Sequence, residues 1–297
     1  MQATIIKKII SGETTKSIEL QRFLRVFFGR KVVLLGAIVI LLLIITALFA
    51  PQFAPYDPIK QNLSIALQHP SNQHLLGTDA LGRDILSRII YGSRVSLAVG
   101  FAAVVVGGLL GMTLGMLAGY FGGIIDLLIM RFIDAMMAIP PLLLALVLGV
   151  SLGGGLYSVM IALGVSLLPT YARLMRGQVL AVKQADYIKA SEVVGCSDFR
   201  IMLRHVFPNC LPPLIVLVTL NLGTAILSEA SLSFLGLGIA PPDPAWGAMV
   251  YDGYTYLLTN PLISIAPGIC ILLVVLAFNI VGDGIRDALD PRLRGII

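Results

Sequence analysis

Charged residues are scarce in this chain, and their scarcity excludes most soluble folds. Only 12% of the 297 residues are Asp, Glu, Lys or Arg, which is about half the usual share of a soluble domain. Hydrophobic residues make up 57%, and the mean hydropathy is +0.93. The composition therefore indicates a polytopic membrane protein, whose net charge of +5 is a property of its loops. We expect a lipid bilayer around the chain and no nucleic-acid partner.

Cysteine is also scarce, and the common enzyme motifs are missing. The three cysteines have no CxxC spacing, which predicts neither a disulfide framework nor a metal site. They are Cys196, Cys210 and Cys270. The nearest approach to a phosphate-binding loop, at 12–17, has the wrong spacing, so we do not expect this chain to hydrolyse ATP. His69 and His74 share a loop without an acid or Cys at ligand spacing, so we expect them to be solvated. We predict no catalytic residues and no cofactor on this chain.

Six apolar segments are each close to the ~20 residues that cross the hydrocarbon core. They are 32–53, 95–120, 124–150, 156–175, 210–237 and 261–282. The end of the first segment resembles a signal-peptide cleavage site, but its apolar run is too long and five further spans follow. We therefore predict an all-α membrane protein with six transmembrane helices, the first of them uncleaved.

The distribution of Lys and Arg predicts how the chain is oriented, since these residues concentrate in cytoplasmic loops. With the N-terminus in the cytoplasm, the basic segments 1–31, 176–209 and 283–297 fall on the cytoplasmic side, and the outer loops at 151–155 and 238–260 hold no Lys or Arg. Basic residues in the first outer loop argue against this, but nearby Asp residues partly offset them. We predict that both termini are cytoplasmic.

The predicted organisation has four parts along the chain. They are a cytoplasmic arm at 1–31, the first helix with an extracytoplasmic loop at 32–94, a five-helix core at 95–282 and a cytoplasmic tail at 283–297. The core includes a cytoplasmic segment at 176–209.

The stretch at 186–209 is charged and has the spacing of two short amphipathic helices. Gly195 interrupts the first, Ser197 is a good N-cap for the second, and Pro208 is expected to end it. The apolar positions of the second helix form one stripe; they are Phe199, Met202, Leu203 and Val206. The pattern fits an interfacial anchor or a knob for a groove on a soluble partner equally well.

Charged residues inside the spans are candidates for function because their burial in lipid is costly. Glu229 in the fifth span, with Asn221 two turns before it, either lines a translocation path or bonds a neighbouring helix. The third span contains three charged residues, Asp126, Arg131 and Asp134. We predict that they form a structural ion-pair cluster in which Arg131 pairs with either acid.

Two glycine patterns predict structure rather than chemistry. A GxxxG series on the second span predicts a close helix-packing face; its members are Gly107, Gly111 and Gly115. Glycines near Asp79, Arg83 and Asp84 predict turns in an outer loop folded onto the bundle, with direct substrate contact and docking of an external binding protein as the alternatives.

The stretch at 186–209 resembles the EAA loop of the permease subunits of bacterial ABC importers. Lys189, Ala190 and Ser191 occupy the Glu-Ala-Ala positions, Gly195 the glycine, and the segment at 205–208 the ending. The resemblance implies that this segment couples the permease to an ATPase. The residues that it implies for coupling are Lys189, Ala190, Ser191, Gly195, Arg204, His205, Pro208 and Asn209.

Other fragments extend the resemblance over nearly the whole chain, to the C-type permease of the dipeptide, oligopeptide and nickel group. They are 54–58, 76–84, 232–238, 241–247 and 282–291. The resemblance implies the type I ABC importer permease fold and half of a pore for di- or oligopeptides in the bacterial inner membrane. Nickel, glutathione or another small solute are the alternative substrates, and an ion-coupled secondary transporter and a membrane-embedded enzyme are rival classes.

The same resemblance implies partners. It implies a B-type permease, two ATPases that carry ATP and Mg, and an extracytoplasmic solute-binding protein. The residues considered for contact with the binding protein are Asp79, Arg83, Asp84 and Trp246.

Overall fold

The computed structural model describes residues 15–239 and 241–289, and within them the regular structure is helical apart from one isolated bridge between Thr78 and Asp84. The α-helices are α1 (Thr15–Gly29), α2 (Lys31–Leu48), α3 (Ala50–Phe53), α4 (Ile85–Phe121), α5 (Gly123–Met137), α6 (Pro141–Ser151), α7 (Leu156–Lys183), α8 (Asp186–Val193), α9 (Asp198–Phe234), α10 (Trp246–Tyr254) and α11 (Leu262–Leu289). The all-α prediction is confirmed for this part of the chain.

Five of these helices are long and apolar enough to cross a membrane unaided, namely α2, α4, α7, α9 and α11. The pair α5 and α6 adds a sixth when it is counted as one span, so the prediction of six agrees with the upper count. Two of the helices extend well beyond the predicted apolar segments, since α4 begins at Ile85 and α11 reaches Leu289. As a result, α4 is continuous across residue 94, where the predicted organisation divides the chain.

The third predicted span, 124–150, is not one straight helix. Between α5 and α6 the chain turns by 91° at a short break. Pro140 and Pro141 lie at this break, and a proline both lacks an N–H and disfavours the helical conformation of the residue before it. These prolines therefore account for the break between the two helices.

The fifth span starts earlier than predicted, since α9 runs from Asp198 to Phe234 without interruption. A five-residue π-turn, Met202–Val206, lies inside it, and Pro208 follows in the first turn of the resumed α-helix. The prediction that Pro208 ends the amphipathic run is wrong. The missing N–H of a proline removes a helical hydrogen bond, and a π-turn directly before it accommodates the altered bonding without ending the helix.

The glycine series of α4 packs against α7 as predicted. A methyl group on Gly107 would lie 2.5 Å from the carbonyl oxygen of Gly164, and one on Gly111 would lie 2.5 Å from that of Leu168. Only glycine allows two helix backbones to approach this closely. We call this contact the glycine seam; it makes α4 and α7 the central pair of the bundle.

The bundle has two distinct ends. At the loop end, the segment between α3 and α4 packs beside α10, where the indole Nε1 of Trp246 donates to the carbonyl of Ile89 at 2.9 Å. At the hairpin end, α8 connects α7 to α9. An ion pair between Arg30 and Asp287 joins the start of α2 to the last turns of α11 at this same end. The remainder of the predicted arm and tail, 1–14 and 290–297, lies outside the described residues.

Candidate functional site

The candidate coupling segment folds as a helical hairpin. Helix α8 ends at Val193, and Gly195 then adopts a φ of +81°. That left-handed conformation is disfavoured for a residue with a Cβ, so the glycine is required by the turn. Ser197 occupies the N-cap position of α9 with extended backbone, but its side chain makes no capping hydrogen bond. We call residues 186–201 the coupling hairpin.

Two buried isoleucines and three polar side chains fix the hairpin to the bundle. Ile188 and Ile201 are fully buried. The hydroxyl of Tyr120, at the end of α4, donates to Asp198 at 2.8 Å. Lys183 donates to the carbonyl of Tyr120 at 2.7 Å, with its ammonium 5.1 Å from the centre of that ring. We call Tyr120, Lys183 and Asp198 the hairpin clamp; the two helix ends and the hairpin are thereby joined at one point.

The tip of the hairpin presents apolar side chains to its surroundings. Val193 is 88% exposed and Val194 is 82% exposed, while Tyr187 and Phe199 are also exposed. These side chains are held by the hairpin turn and contribute little to the core of the chain. The tip is therefore a preformed apolar knob on a polar segment.

The residues that the EAA resemblance singles out all lie on or just after this hairpin. Six of them are exposed and two, Ser191 and His205, are half-buried; the exposed ones are Lys189, Ala190, Gly195, Arg204, Pro208 and Asn209. Ser191 and Asn209 bond to the backbone of their own helices. Of the predicted apolar stripe, only Met202 and Val206 are buried, whereas Phe199 and Leu203 are exposed and line an open apolar groove beside α4. The coupling role of these residues stays a prediction.

Glu229 lies in the interior of the bundle and has hydrogen-bond partners on two helices. Its side chain is fully buried, accepting from Ser96 of α4 at 3.3 Å and from Ser233 at 2.6 Å. The structure therefore shows the bond to a neighbouring helix, which was one of the two alternatives. Asn221 is buried separately, and its Nδ2 has no partner among the described residues. A role of either in the translocation path stays a prediction.

The outer loop contains a buried ionic network. Arg83 donates to Asp79 at 2.6 Å, and Arg88 lies 3.6 Å from the same carboxylate. Asp84 caps the start of α4 through the amide and hydroxyl of Ser87. The residues considered for contact with a binding protein, namely Asp79, Arg83, Asp84 and Trp246, are each at most 6% exposed. That contact stays a prediction, and in this conformation it would use the outside of the loop rather than these side chains.

Sequence reasoning missed the role of His74. It is buried, its Nδ1 lies 2.9 Å from Asp84, and its ring stacks on Tyr56 at 4.6 Å. The expectation of a solvated His74 is wrong, whereas His69 is exposed. The partner of His74 lies ten residues away, a spacing with no recognisable motif. Across the described residues no three His, Cys, Asp or Glu side chains form a group that could hold a metal ion.

The charged cluster of the third span has different partners from those predicted. Arg176 holds Asp126 through two hydrogen bonds of 2.5 and 2.6 Å. Arg173 donates to Asp134 at 2.8 Å. The expectation that Arg131 pairs with either acid is wrong, because both acids face α7 and are taken by its arginines.

Comparison with known proteins identifies the family. Residues 111–295 match the family model of the binding-protein-dependent transport system inner membrane component. Residues 19–70 match the N-terminal transmembrane domain of oligopeptide transport permease C. The chain belongs to the binding-protein-dependent permease family. It is a permease subunit of an ABC importer and a multi-pass protein of the inner membrane, and ATP hydrolysis in such importers occurs on separate subunits.

Several curated relatives are similar over most of their length. The glutathione transport system permease protein GsiD of Escherichia coli O6:K15:H31 is 44% identical over 277 residues, covering 92% of this chain and 90% of the relative. The protein of the same name from Shigella boydii serotype 4 has the same identity and coverage. The inward-facing MetNI methionine ABC transporter matches with a TM-score of 0.57 at 22% identity, over 69% of this chain and 98% of that one. This last similarity supports the type I permease fold.

Proposed function

We propose that this permease forms half of the translocation pathway of an ATP-driven importer for small peptides, with glutathione as the first candidate. The 44% identity to glutathione permeases over 92% of the chain supports this substrate class. Di- and oligopeptides are the broader expectation from the C-type resemblance. A second, B-type permease completes the pathway, two ATPases carry ATP and Mg, and an extracytoplasmic binding protein delivers the substrate.

The observation that carries the proposal is the coupling hairpin with its exposed apolar tip. An apolar knob held by a rigid turn fits a groove on a soluble partner, the helix-in-groove mode of recognition. Of the two alternatives for this segment, docking is favoured over a lipid anchor because the clamp fixes the hairpin at the end of α4 and α7. In this arrangement the hairpin end and both termini face the cytoplasm, where the ATPases bind.

The ATPase drives transport only if each of its states prefers a different arrangement of the pore. The coupling hairpin supplies the required rigid lever, because Gly195 fixes the turn and α9 continues from the hairpin through the membrane without a break. Movement of the ATPase groove therefore moves the end of a spanning helix directly.

Coupling is tested with Val193→Asp in the complex assembled with its partner permease, ATPases and binding protein. A charge at the exposed tip cannot be buried in an apolar groove without a large penalty, so substrate-stimulated ATP hydrolysis falls about tenfold or more. Val193→Ile, which keeps an apolar tip, is the matched control and retains stimulation. Stimulation of the Asp variant at the wild-type level would remove the tip from the mechanism.

The substrate is tested by uptake into proteoliposomes that contain the wild-type complex. The expected result is ATP-dependent uptake of glutathione, with a panel of dipeptides, longer peptides and Ni²⁺ as comparisons. Uptake of Ni²⁺ alone would exclude a peptide importer. Uptake that continues without ATP under an ion gradient would favour a secondary transporter instead.

A further inference from the structure

A groove of about 460 Å³ between α5 and α7 is lined mainly by charged residues. It is open along one side and lies toward the hairpin end of the bundle. Its charged residues are Asp126, Arg131, Asp134, Arg173 and Arg176. None of them belongs to the coupling hairpin or to the outer loop.

Arg131 is the free charge of this groove. Asp126 and Asp134 are each engaged by an arginine of α7. Within the part of the chain that the structure describes, Arg131 makes neither a hydrogen bond nor an ion pair, and its side chain is exposed. The groove therefore carries one uncompensated positive charge, presented on a planar group suited to a carboxylate.

The groove is not part of a solvated loop, because its residues lie on helices that count toward membrane spans. Arg131 is eight residues into α5, roughly 12 Å along a helix axis, within a segment that counts toward a membrane span. Ionisable groups within membrane-spanning segments face the bundle interior or a water-filled cavity rather than lipid. A different face of α5 is apolar and suits lipid: Ile125 is 45% exposed and Phe132 is 57% exposed. Helix α5 thus separates an apolar environment from a polar one.

We propose that Arg131 binds a carboxylate of the substrate as it passes along the pathway. This inference rests on the proposed import of small peptides, all of which carry a C-terminal carboxylate. Glutathione is anionic at neutral pH because its carboxylates outnumber its ammonium group. The two ion pairs tie α5 to α7 along the groove and leave Arg131 as its available guanidinium.

Because the side chain of Arg131 is exposed, we expect it to bind the substrate weakly and transiently. A pathway site must bind well enough for the substrate to enter and weakly enough for it to leave. A single exposed guanidinium in a wet groove meets both requirements. An acid of the partner permease or the headgroup of an anionic lipid would bind the same guanidinium, and either one would be a contrary outcome of the first test.

The first test compares uptake of glutathione with uptake of its C-terminal amide in proteoliposomes containing the whole complex. Arg131→Gln should lower glutathione uptake per ATP hydrolysed by about tenfold, as expected for one charge-assisted hydrogen bond, and lower amide uptake less. Arg131→Lys should restore most of the loss. The fold-change between variant and wild type is taken for each substrate separately, so any preference of the binding protein cancels.

Each contrary outcome overturns the inference in a distinguishable way. Equal losses for the acid and the amide would show that Arg131 has a structural role. Failure of Arg131→Gln to assemble with the partner permease, with Arg131→Lys assembling, would assign it to the subunit interface. Unchanged uptake of both substrates would show that Arg131 faces lipid or solvent and does not contact the substrate. Absence of glutathione and peptide uptake by the wild-type complex would instead refute the proposed function.

The second test needs no substrate and uses cysteine accessibility in native membranes. The three native cysteines are replaced by alanine, and Arg131→Cys is treated with a membrane-impermeant sulfonate thiol reagent from the hairpin side. Arg131→Cys should be modified, and the matched control Phe132→Cys on the lipid-facing side of the same helix should not. An unreactive Arg131→Cys, or equal reactivity at both positions, would overturn the placement of Arg131 in an aqueous pathway.

Discussion

Two neighbouring glycines of α4 should respond in opposite directions to the same substitution. A methyl group on Gly111 would lie 2.5 Å from the carbonyl oxygen of Leu168 and 2.7 Å from Cβ of Tyr171. A methyl group on Gly108 would meet nothing closer than the flexible end of Met112, at 3.5 Å. Each substitution stabilises α4 by about 1 kcal/mol through its higher helix propensity. The difference in stability between the two variants therefore measures the steric cost at the glycine seam.

The expected magnitude follows from these distances. An unstrained carbon–oxygen contact is about 3.4 Å or longer, so Gly111→Ala forces α4 and α7 apart by nearly 1 Å along much of their contact. Overpacking of this kind costs about 1–3 kcal/mol, and the lost backbone contacts between the two helices add to it. We expect a net loss of about 1–2 kcal/mol for Gly111→Ala and a gain of up to about 1 kcal/mol for Gly108→Ala.

The assay is reversible unfolding of the purified permease in mixed detergent micelles with increasing SDS, followed by helical circular dichroism. Gly111→Ala should shift the midpoint to lower SDS and Gly108→Ala to higher SDS. The double variant should show nearly the sum of the two shifts, since only one of the two methyl groups lies in the seam. A Gly111→Ala protein as stable as the wild type would refute the close approach of α4 and α7.

Two further substitutions test buried hydrogen bonds. Trp246→Phe keeps most of the apolar area but removes the indole donor to the carbonyl of Ile89, which retains its helical partner, so we expect a loss of about 0.5–1.5 kcal/mol in the same SDS assay, and a wild-type midpoint would contradict the bond. Glu229→Gln keeps a hydrogen bond to each serine, because its amide oxygen accepts from one and its amide nitrogen donates to the other, whereas Glu229→Leu removes both. If Glu229 serves packing, the Gln variant keeps wild-type uptake and only the Leu variant unfolds early; lost uptake in a stable Gln variant would instead place the charge in the pathway.

The sequence predicts those features of the fold that depend on local chemistry. Apolar length locates the spans, and the four-residue spacing of Gly107 and Gly111 predicts the close helix contact that the structure contains. The proline pair at 140–141 locates the break in the third span. Each of these depends on the backbone requirements of one residue type, which are the same in every fold.

The side-chain contacts that the sequence does not predict depend on which helices pack against each other. Arg131 is near both acids in the sequence, but Asp126 and Asp134 face α7 and bond Arg176 and Arg173, some forty to fifty residues away. The distance along the chain gives no indication of this pairing.

The coupling segment shows the same limit. The spacing of residues 198–206 predicts one apolar stripe on an ideal α-helix. The π-turn changes the periodicity, so Leu203 is 52% exposed while Val206 is fully buried. Tyr120 was read only as the last residue of an apolar span, although it holds the hairpin through its hydroxyl and its carbonyl. A polar tip on an otherwise apolar side chain at the end of a span is the one signal that could have indicated this role.

The clamp, the seam and the break together determine which parts of the permease can move as one unit. The clamp ties the coupling hairpin to the ends of α4 and α7, and the seam locks those helices to each other along their length. A displacement of the hairpin is therefore carried by α4, α7 and the start of α9 as a body. Helix α6 packs against α7, with Ala145 fully buried, so it belongs to the same body. Helix α5 turns away from α6 at the break, 138–140. Because the charged groove lies between α5 and α7, we expect movement of the hairpin to change its width, and with it the access of a carboxylate to Arg131.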